Sequence, residues 1–267
     1  MTEPVPIDDP ADPRIRDYVA LRDPHRRVSV ESTEHFFVGE GINVVRRMIA
    51  VGSDFRSVLL TPQLLDQLAP DLTGIDAPVF VAPRPVLRET VGFDLHRGVV
   101  AAANRPAGPG FDAIVADPTT RTVLALERVN DHENLGSVFR SAAALGVDGV
   151  LLCPQCSDPL YRRCVRVSMG HVLTVRWTVT PEWPDAVTRL HDAGFTTVAL
   201  TPRGGTDLRE RGRRAGERIA LMLGAEGPGL TDAALAAADE RVQITMQPGA
   251  DSLNVAVAAA IAAYALI

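Results

Sequence analysis

Short apolar runs alternate with amphipathic stretches along this chain of 267 residues. His35–Val38 reads as a strand, and Gly41–Val51 as a helix stopped by Gly52. Ser57–Leu60 reads as a strand and Gln63–Leu68 as a helix. A strand at Val79–Ala82, a helix from Pro85 and a strand at Gly98–Ala102 follow. Alternation of this kind predicts an α/β unit with a mainly parallel sheet. Upstream, Asp12-Pro13 opens a helix with Ile15 and Val19 on its apolar stripe. Residues 1–12, rich in Pro and Asp, read as a disordered tail.

Asn104-Arg-Pro-Ala-Gly-Pro-Gly110 is the clearest break in composition. It sets an N-terminal unit at 13–104, a linker at 105–120 holding a short helix at Phe111–Ala116, and a second unit at 121–267. There the alternation resumes, with strands at Val123–Leu126, Val150–Leu152, Thr197–Leu200, Ile219–Leu223 and Val242–Thr245. The helices between them include Leu135–Leu145, Pro181–Ala193 and Asp232–Ala238. The run from Leu253 to Ile267 is mostly Ala and too short to span a membrane, so it reads as a buried helix.

The formal net charge of −6 argues against a non-specific nucleic-acid binder. Lysine is absent, so all 27 Lys-or-Arg positions are Arg and every cationic contact, histidine apart, is guanidinium-based. Clusters at Arg14/Arg16, Arg26/Arg27, Arg46/Arg47, Arg162/Arg163/Arg166 and Arg209–Arg218 read, taken singly, as solvated surface. The acidic, Pro-rich start carries no signal-peptide pattern, which predicts a cytoplasmic protein with no membrane partner. Cys153, Cys156 and Cys164 are too few and too clustered for a secreted disulfide scaffold. Cys153-Pro-Gln-Cys156 follows a strand and raises a redox or zinc role, with His171 as an imaginable further ligand. No second ligand pair with metal spacing accompanies it, so the cysteines read as free thiols and no metal is expected. A dinucleotide-binding oxidoreductase is disfavoured, because no Gly-x-Gly-x-x-Gly opens a helix after an early strand.

The most chemical stretch is Asn134-Leu-Gly-Ser-Val-Phe-Arg140-Ser-Ala-Ala-Ala-Leu-Gly146, which follows the strand Thr122-Val-Leu-Ala-Leu126 and opens an Ala-rich helix. A helix start offers unpaired N–H groups and the positive end of a dipole, which attract anions. Gly136 permits close approach to the backbone, and Arg140 supplies a planar fork suited to phosphate. Asn134 also suits an N-cap. Two further segments follow: Leu221-Met-Leu-Gly-Ala-Glu226-Gly-Pro-Gly-Leu230, and Ile244-Thr-Met-Gln-Pro-Gly-Ala-Asp-Ser252-Leu-Asn254-Val-Ala-Val.

In this order the three segments resemble the signature motifs of the SpoU (TrmH-like) branch of the SPOUT RNA methyltransferases, over roughly residues 120–267. Glu34-His-Phe-Phe-Val-Gly-Glu-Gly-Ile-Asn-Val-Val-Arg-Arg47 more loosely resembles the small RNA-recognition domain of these enzymes, itself related to a ribosomal protein fold. The resemblance implies an α/β fold with a deep trefoil knot near the C-terminus, the chain from Ser252 threading a loop. Knots are rare, and nothing in spacing or composition indicates one. It implies S-adenosylmethionine as cofactor, methylation of a ribose 2′-hydroxyl in tRNA or rRNA, and a homodimer whose partner chain supplies Arg140 to each site.

By the same resemblance Arg140, Asn134, Glu226, Ser252 and Asn254 are the catalytic set. Leu200, Thr201, Gly224, Ile244, Met246 and Leu253 hold the cofactor, largely through backbone and apolar contact. Arg46 and Arg47, with Arg140, are candidates for touching RNA. Guanidinium almost never loses its proton, so Arg140 is expected to grip phosphate and stabilise charge at the 2′-oxygen rather than act as base. Glu226 is expected to brace loops, by pairing with Arg140 or Asn134. Ser252 and Asn254 are spaced so that one side chain faces a ligand and the other braces a loop; ordinary capping by Ser252 is the plainer alternative and leaves Asn254 unaccounted for. The usual Ile-Pro-Met of the third motif is Ile244-Thr245-Met246 here, which frees a backbone N–H and loosens φ. Ser168-Met-Gly-His171 also resembles a family segment. The competing reading is a non-catalytic RNA-binding or ribosome-assembly protein that kept the fold; the five intact motif residues weigh against it.

Overall fold

Every strand of the second unit feeds one parallel sheet, and that sheet positions the site. The computed structural model describes residues 3–23, 30–31, 33–95, 98–180 and 183–267; Arg26, Arg27 and the first two residues of the expected Pro181–Ala193 helix lie outside them. The chain divides into two units, one of residues 1–107 with 160–173, the other of residues 108–159 with 174–267. The composition break predicts a second unit unbroken from 121 to 267. In the structure its stretch Leu160–Leu173 packs with the first unit, and the second unit takes in residues from 108.

The first unit holds strands β1 (Val5–Pro6), β2 (Phe36–Glu40), β3 (Phe55–Leu60), β4 (Val79–Val81) and β5 (Val99–Asn104). They form one sheet in the order β1-β4-β3-β5-β2. β1, β4 and β3 are parallel, but β5 runs antiparallel to both β2 and β3, so the sheet is mixed. Helices α1 (Ile42–Ala50), α2 (Pro62–Leu72) and α3 (Arg84–Val91) connect the strands. The expected helix after Asp12 is a 3₁₀ turn, Pro13–Tyr18, capped by the Asp12 carboxylate. The expected tail is partly built in: Val5 and Pro6 pair with Phe80 and Val81, and Ile7 is buried. Pro6 fits because β1 is an edge strand, where a missing N–H breaks no ladder.

The second unit runs α4 (Phe111–Val115), β6 (Thr122–Glu127), α5 (His132–Leu145) and β7 (Gly149–Leu152). After α6 (Arg162–Val167), which lies in the first unit, come β8 (Trp177–Val179), α7 (Asp185–Asp192), β9 (Thr196–Leu200), β10 (Thr206–Asp207) and α8 (Leu208–Arg211). β11 (Ile219–Gly224), α9 (Asp232–Ala237), β12 (Glu240–Gln243) and α10 (Val255–Leu266) complete it. The sheet order is β10-β12-β9-β11-β6-β7-β8, and every pairing is parallel. The central strands β6 and β11 are buried along nearly their whole length, which is why they read as continuous apolar runs rather than as an alternation. One core gathers Val123, Ala125, Leu151, Ala220 and Met222 from the strands with Val187 and Leu190 from α7.

Two boundaries differ in ways that bear on the site. α5 starts at His132, three residues before the expected Leu135, because Asp131 caps it by accepting from the N–H groups of Glu133 and Asn134. β12 covers Glu240–Gln243, which leaves Ile244 and Thr245 in the loop beyond its end. The C-terminal helix is only half buried: Ala259, Ala262, Ala263 and Leu266 face inward, while Val257, Ile261 and Tyr264 face out. It packs against α5 and β11.

Candidate active site

A parallel sheet directs all its strand carboxyl ends to one edge, where loops leave room for ligands. Here β9 ends at Leu200, β11 at Gly224 and β12 at Gln243, and the loops beyond them enclose an open cleft of about 650 Å³ including its mouth. Leu200 and Thr201 line it from one loop, Gly224 and Glu226 from a second, and Ile244, Met246, Ser252 and Leu253 from the third. The structure thus brings the six sequence-selected cofactor residues to one cavity with two members of the catalytic set. The rest of its wall is mainly small or apolar, including Leu223, Val255 and Ala258.

Gly224 is the tightest point. A Cβ built there would sit 2.0 Å from the carbonyl carbon of Gly229 and 2.2 Å from the nitrogen of Leu230. No side chain fits, because the loop Glu226–Gly229 folds straight back over the strand end and closes with an Ala225–Gly229 bridge. Its far end is held by a residue the sequence reading passed over. Glu127, last in β6 and only 2% exposed, accepts from the Thr231 N–H and hydroxyl, both at 2.8 Å. Its only signal was a carboxylate closing an apolar strand.

Three distant segments meet at the mouth. The Asn254 side-chain amide donates to Oδ1 of Asn134 at 2.7 Å and to Oε1 of Glu226 at 2.6 Å. Its own Oδ1 accepts from the N–H groups of Ala256 and Val257, so Asn254 caps α10 and bridges the other two motifs at once. The two plainer capping alternatives do not hold. The cap of α10 is Asn254 rather than Ser252, which leaves Ser252 on the cleft wall; the cap of α5 is Asp131 rather than Asn134, which frees the Asn134 side chain for the bridge. Glu226 engages the Asn254 amide, and no Arg140 pairing is formed among the described residues.

Arg140 is exposed and has no ion-pair or hydrogen-bond partner among the described residues, which removes the structural ion pair as its explanation. It does not line the cleft. Six residues of α-helix separate it from Asn134 by about 9 Å along the axis and about 120° around it, so the two side chains diverge. Arg46 and Arg47 lie on α1 in the first unit. Arg46 pairs with Asp71 at 2.8 Å, and Arg47 donates to the Met169 carbonyl at 2.6 Å. The first role the structure shows for the pair is in packing, and the Ser168–His171 stretch is where Arg47 makes its contact.

Thr245, where the motif usually has proline, ties its loop down through its side chain. Its hydroxyl donates to the Asp207 carboxylate, while Thr201 N–H donates to the Val242 carbonyl at 2.9 Å. Two cleft-forming loops are thereby tied together, and the Thr245 hydroxyl, with the Arg209 N–H, holds the Asp207 carboxyl below its ordinary range. Cys153 and Cys156 bring their sulfurs to 3.8 Å. The Cys156 thiol donating to Cys153, helped by the N–H groups of Arg128 and Gln155, pulls Cys153 down to about 6 against burial and Glu127; Cys156 is pushed up by that same donation and by burial. All three cysteines are free, and among the described residues no cluster of three or more His, Cys, Asp or Glu is arranged to hold a metal. No helix among them is long and apolar enough to cross a membrane.

The sequence profile of the SpoU rRNA Methylase family matches residues 121–264. An uncharacterized tRNA/rRNA methyltransferase of Mycobacterium tuberculosis is 46% identical over 258 residues, covering 96% of this chain and 89% of its own length. Among solved structures, an AdoMet-bound rRNA methyltransferase from Sinorhizobium meliloti superposes with a TM-score of 0.81 at 25% identity, over 98% of this chain and 96% of that one. An RNA 2′-O ribose methyltransferase superposes with a TM-score of 0.79 at 26% identity, over 97% of this chain and 97% of that one.

Proposed function

This chain belongs to the SpoU rRNA methylase family and is an RNA methyltransferase, and from that premise we propose that it methylates a ribose 2′-hydroxyl of tRNA or rRNA, using S-adenosylmethionine, as a homodimer in the cytoplasm. The observation that carries the reading is the Asn134–Asn254–Glu226 bridge at the lip of the cleft. It joins three distant stretches of the second unit at the cleft, through the Asn254 amide nitrogen and not the oxygen that caps α10.

The cleft fits the cofactor on its own terms. Leu200, Ile244, Met246 and Leu253 offer apolar faces to a purine, and the missing side chain at Gly224 lets the Gly-rich loop close over the strand end beside them. When bound, the cofactor supplies an electrophilic sulfonium methyl. The protein's share is to place the nucleophile and manage its proton. The bridge holds Glu226 at the rim, and Ser252 lines the cleft beside it, where a ribose would be oriented. An unpaired guanidinium at Arg140 is free to clamp a nucleotide phosphate and to stabilise negative charge as the 2′-oxygen loses its proton. That guanidinium diverges from Asn134 within one chain, which favours its serving a second copy. The outward face of α10, with Val257, Ile261 and Tyr264 at helical spacing, is the surface such a copy would cover, Tyr264 being 79% exposed. The knot implied by the resemblance belongs to the same reading, with the chain beyond Ser252 threaded beneath a loop.

Mixing Arg140→Ala chains with Ser252→Ala chains tests the arrangement. Shared sites restore activity in the mixture, because one site per mixed dimer keeps both residues; self-contained sites restore none. Comparing ribose methylation across total RNA with and without the protein tests the reaction itself. Cofactor binding in calorimetry without any new 2′-O-methyl nucleotide would instead support an RNA-binding protein that has lost transfer.

A further inference from the structure

The loop between β6 and α5 carries a second unpaired guanidinium, at Arg128. Among the described residues of the second unit Arg128 is the sole non-glycine with positive φ, at 57°. That conformation is costly for a side chain of this size, and it is found where surrounding structure enforces it. Two neighbours do so. Glu127, immediately before, is buried and locked onto Thr231. The Arg128 N–H itself donates to Cys153 Sγ at 3.0 Å. With the backbone fixed on both sides, the side chain is turned outward. Arg128 is exposed, and its guanidinium has no partner among the described residues.

Its position gives the strain a use. Glu127 pairs in register with Gly224, so Arg128 stands beside the strand end from which the Gly-rich cleft loop departs. Three residues further on, Asp131 caps α5 and leads to Asn134 of the bridge. Packing does not need a cation there, and glycine or asparagine would hold the same φ with less strain.

We propose that Arg128 is a phosphate contact for the RNA substrate, held toward the backbone of the nucleic acid by its left-handed conformation. The proposal rests on the RNA methyltransferase reading and adds a binding residue outside the five motif positions. A guanidinium meets a phosphate by paired, charge-assisted hydrogen bonds that carry no sequence information, so the effect extends to any structured RNA the enzyme binds.

The test uses the full chain and bulk tRNA as probe, with Arg128→Gly and Arg128→Gln. Retention of tRNA on filters is measured between about 50 and 200 mM salt. Both variants should bind about tenfold more weakly at the lower salt, and the salt slope should fall by about one. Arg128→Lys should recover part of the affinity. Arg128→Gly should also melt higher than the parent, because it relieves the backbone, and cofactor affinity in calorimetry should be unchanged in all three. Parent-like tRNA binding and salt slope in both neutral variants would overturn the proposal, as would a parallel loss of cofactor binding, which marks a structural role. Where the parent retains ribosomal RNA but not tRNA, the same comparison is read on that probe; a parent chain that retains neither defeats the RNA methyltransferase reading, and the proposal with it.

Discussion

Replacing Asn254 by Asp separates the bridge from the cap. The oxygen that accepts from Ala256 and Val257 is kept, but the donor becomes an oxygen facing Glu226 Oε1 at 2.6 Å and Asn134 Oδ1 at 2.7 Å. Two unit charges at the first distance repel by about 1.6 kcal/mol even at the dielectric of water. The hydrogen bond lost to a charged acceptor adds about 1.5 kcal/mol, the low end of the range because the groups are exposed. A total of about 3 kcal/mol corresponds to a melting point lower by roughly 6–12 °C in a unit of this size. The pH dependence carries the diagnosis. Repulsion raises a carboxyl pKa in the folded state above its unfolded value, so the penalty is fully present above the raised value and is relieved as pH falls through it. The gap between parent and variant should therefore shrink below about pH 5. Asn254→Ala loses the cap too, at about 1 kcal/mol, and its gap should not close on acidification. Thermal melts across that range, with methyl transfer at neutral pH, provide the assay. A gap independent of pH in Asn254→Asp, or transfer at the parental rate, would refute the bridge as drawn.

Arg140→Lys should leave the unfolding free energy within about 0.5 kcal/mol of the parent, since no contact is lost, while turnover collapses and calorimetric cofactor binding persists; full turnover would exclude a bidentate role. Gly224→Ala forces a methyl into the backbone of Gly229 and Leu230, so cofactor binding should fall by more than about tenfold, measured by calorimetry, with parental affinity as the contrary result. Thr245→Val removes the donor to Asp207. Cofactor affinity should weaken, and stability above about pH 4 should drop, because a carboxyl held below its ordinary range stabilises the fold above its unfolded pKa and loses that contribution as pH falls through the folded one. Melting curves of parent and variant that stay equally spaced on acidification would count against the latch.

The parallel sheet of the second unit was legible because its central strands are buried on both faces and announce themselves as apolar runs, as in Ile219–Leu223. The short edge strands were not: β10 has two residues and Thr206 is exposed, so periodicity had nothing to act on. The antiparallel placement of β5 was equally hidden, since Val99–Ala103 looks the same in either direction. At the site, the resemblance to the SpoU motifs picked out Asn134, Glu226 and Asn254, but that Asn134 is left free for the bridge depends on Asp131 capping its helix, and that Asn254 both caps and bridges depends on its two side-chain atoms facing different ways. Arg46 and Arg47 show the opposite limit, for an arginine pair on a helix reads alike whether it awaits a ligand or is already engaged by Asp71 and a carbonyl. Glu127 and Arg128 carried no motif at all, and only the partner Thr231 and a backbone angle single them out.

The return of Leu160–Leu173 to the first unit has a bearing on how this architecture can be inherited. α6 lies against β2, with Cys164 and Val165 fully covered. A gene fragment starting at residue 108 would carry that helix away from the strand that shelters it, and one ending at 107 would bare the strand. Neither half is a portable cassette. Any replacement for the front module would have to shelter Cys164 and Val165 as β2 does here.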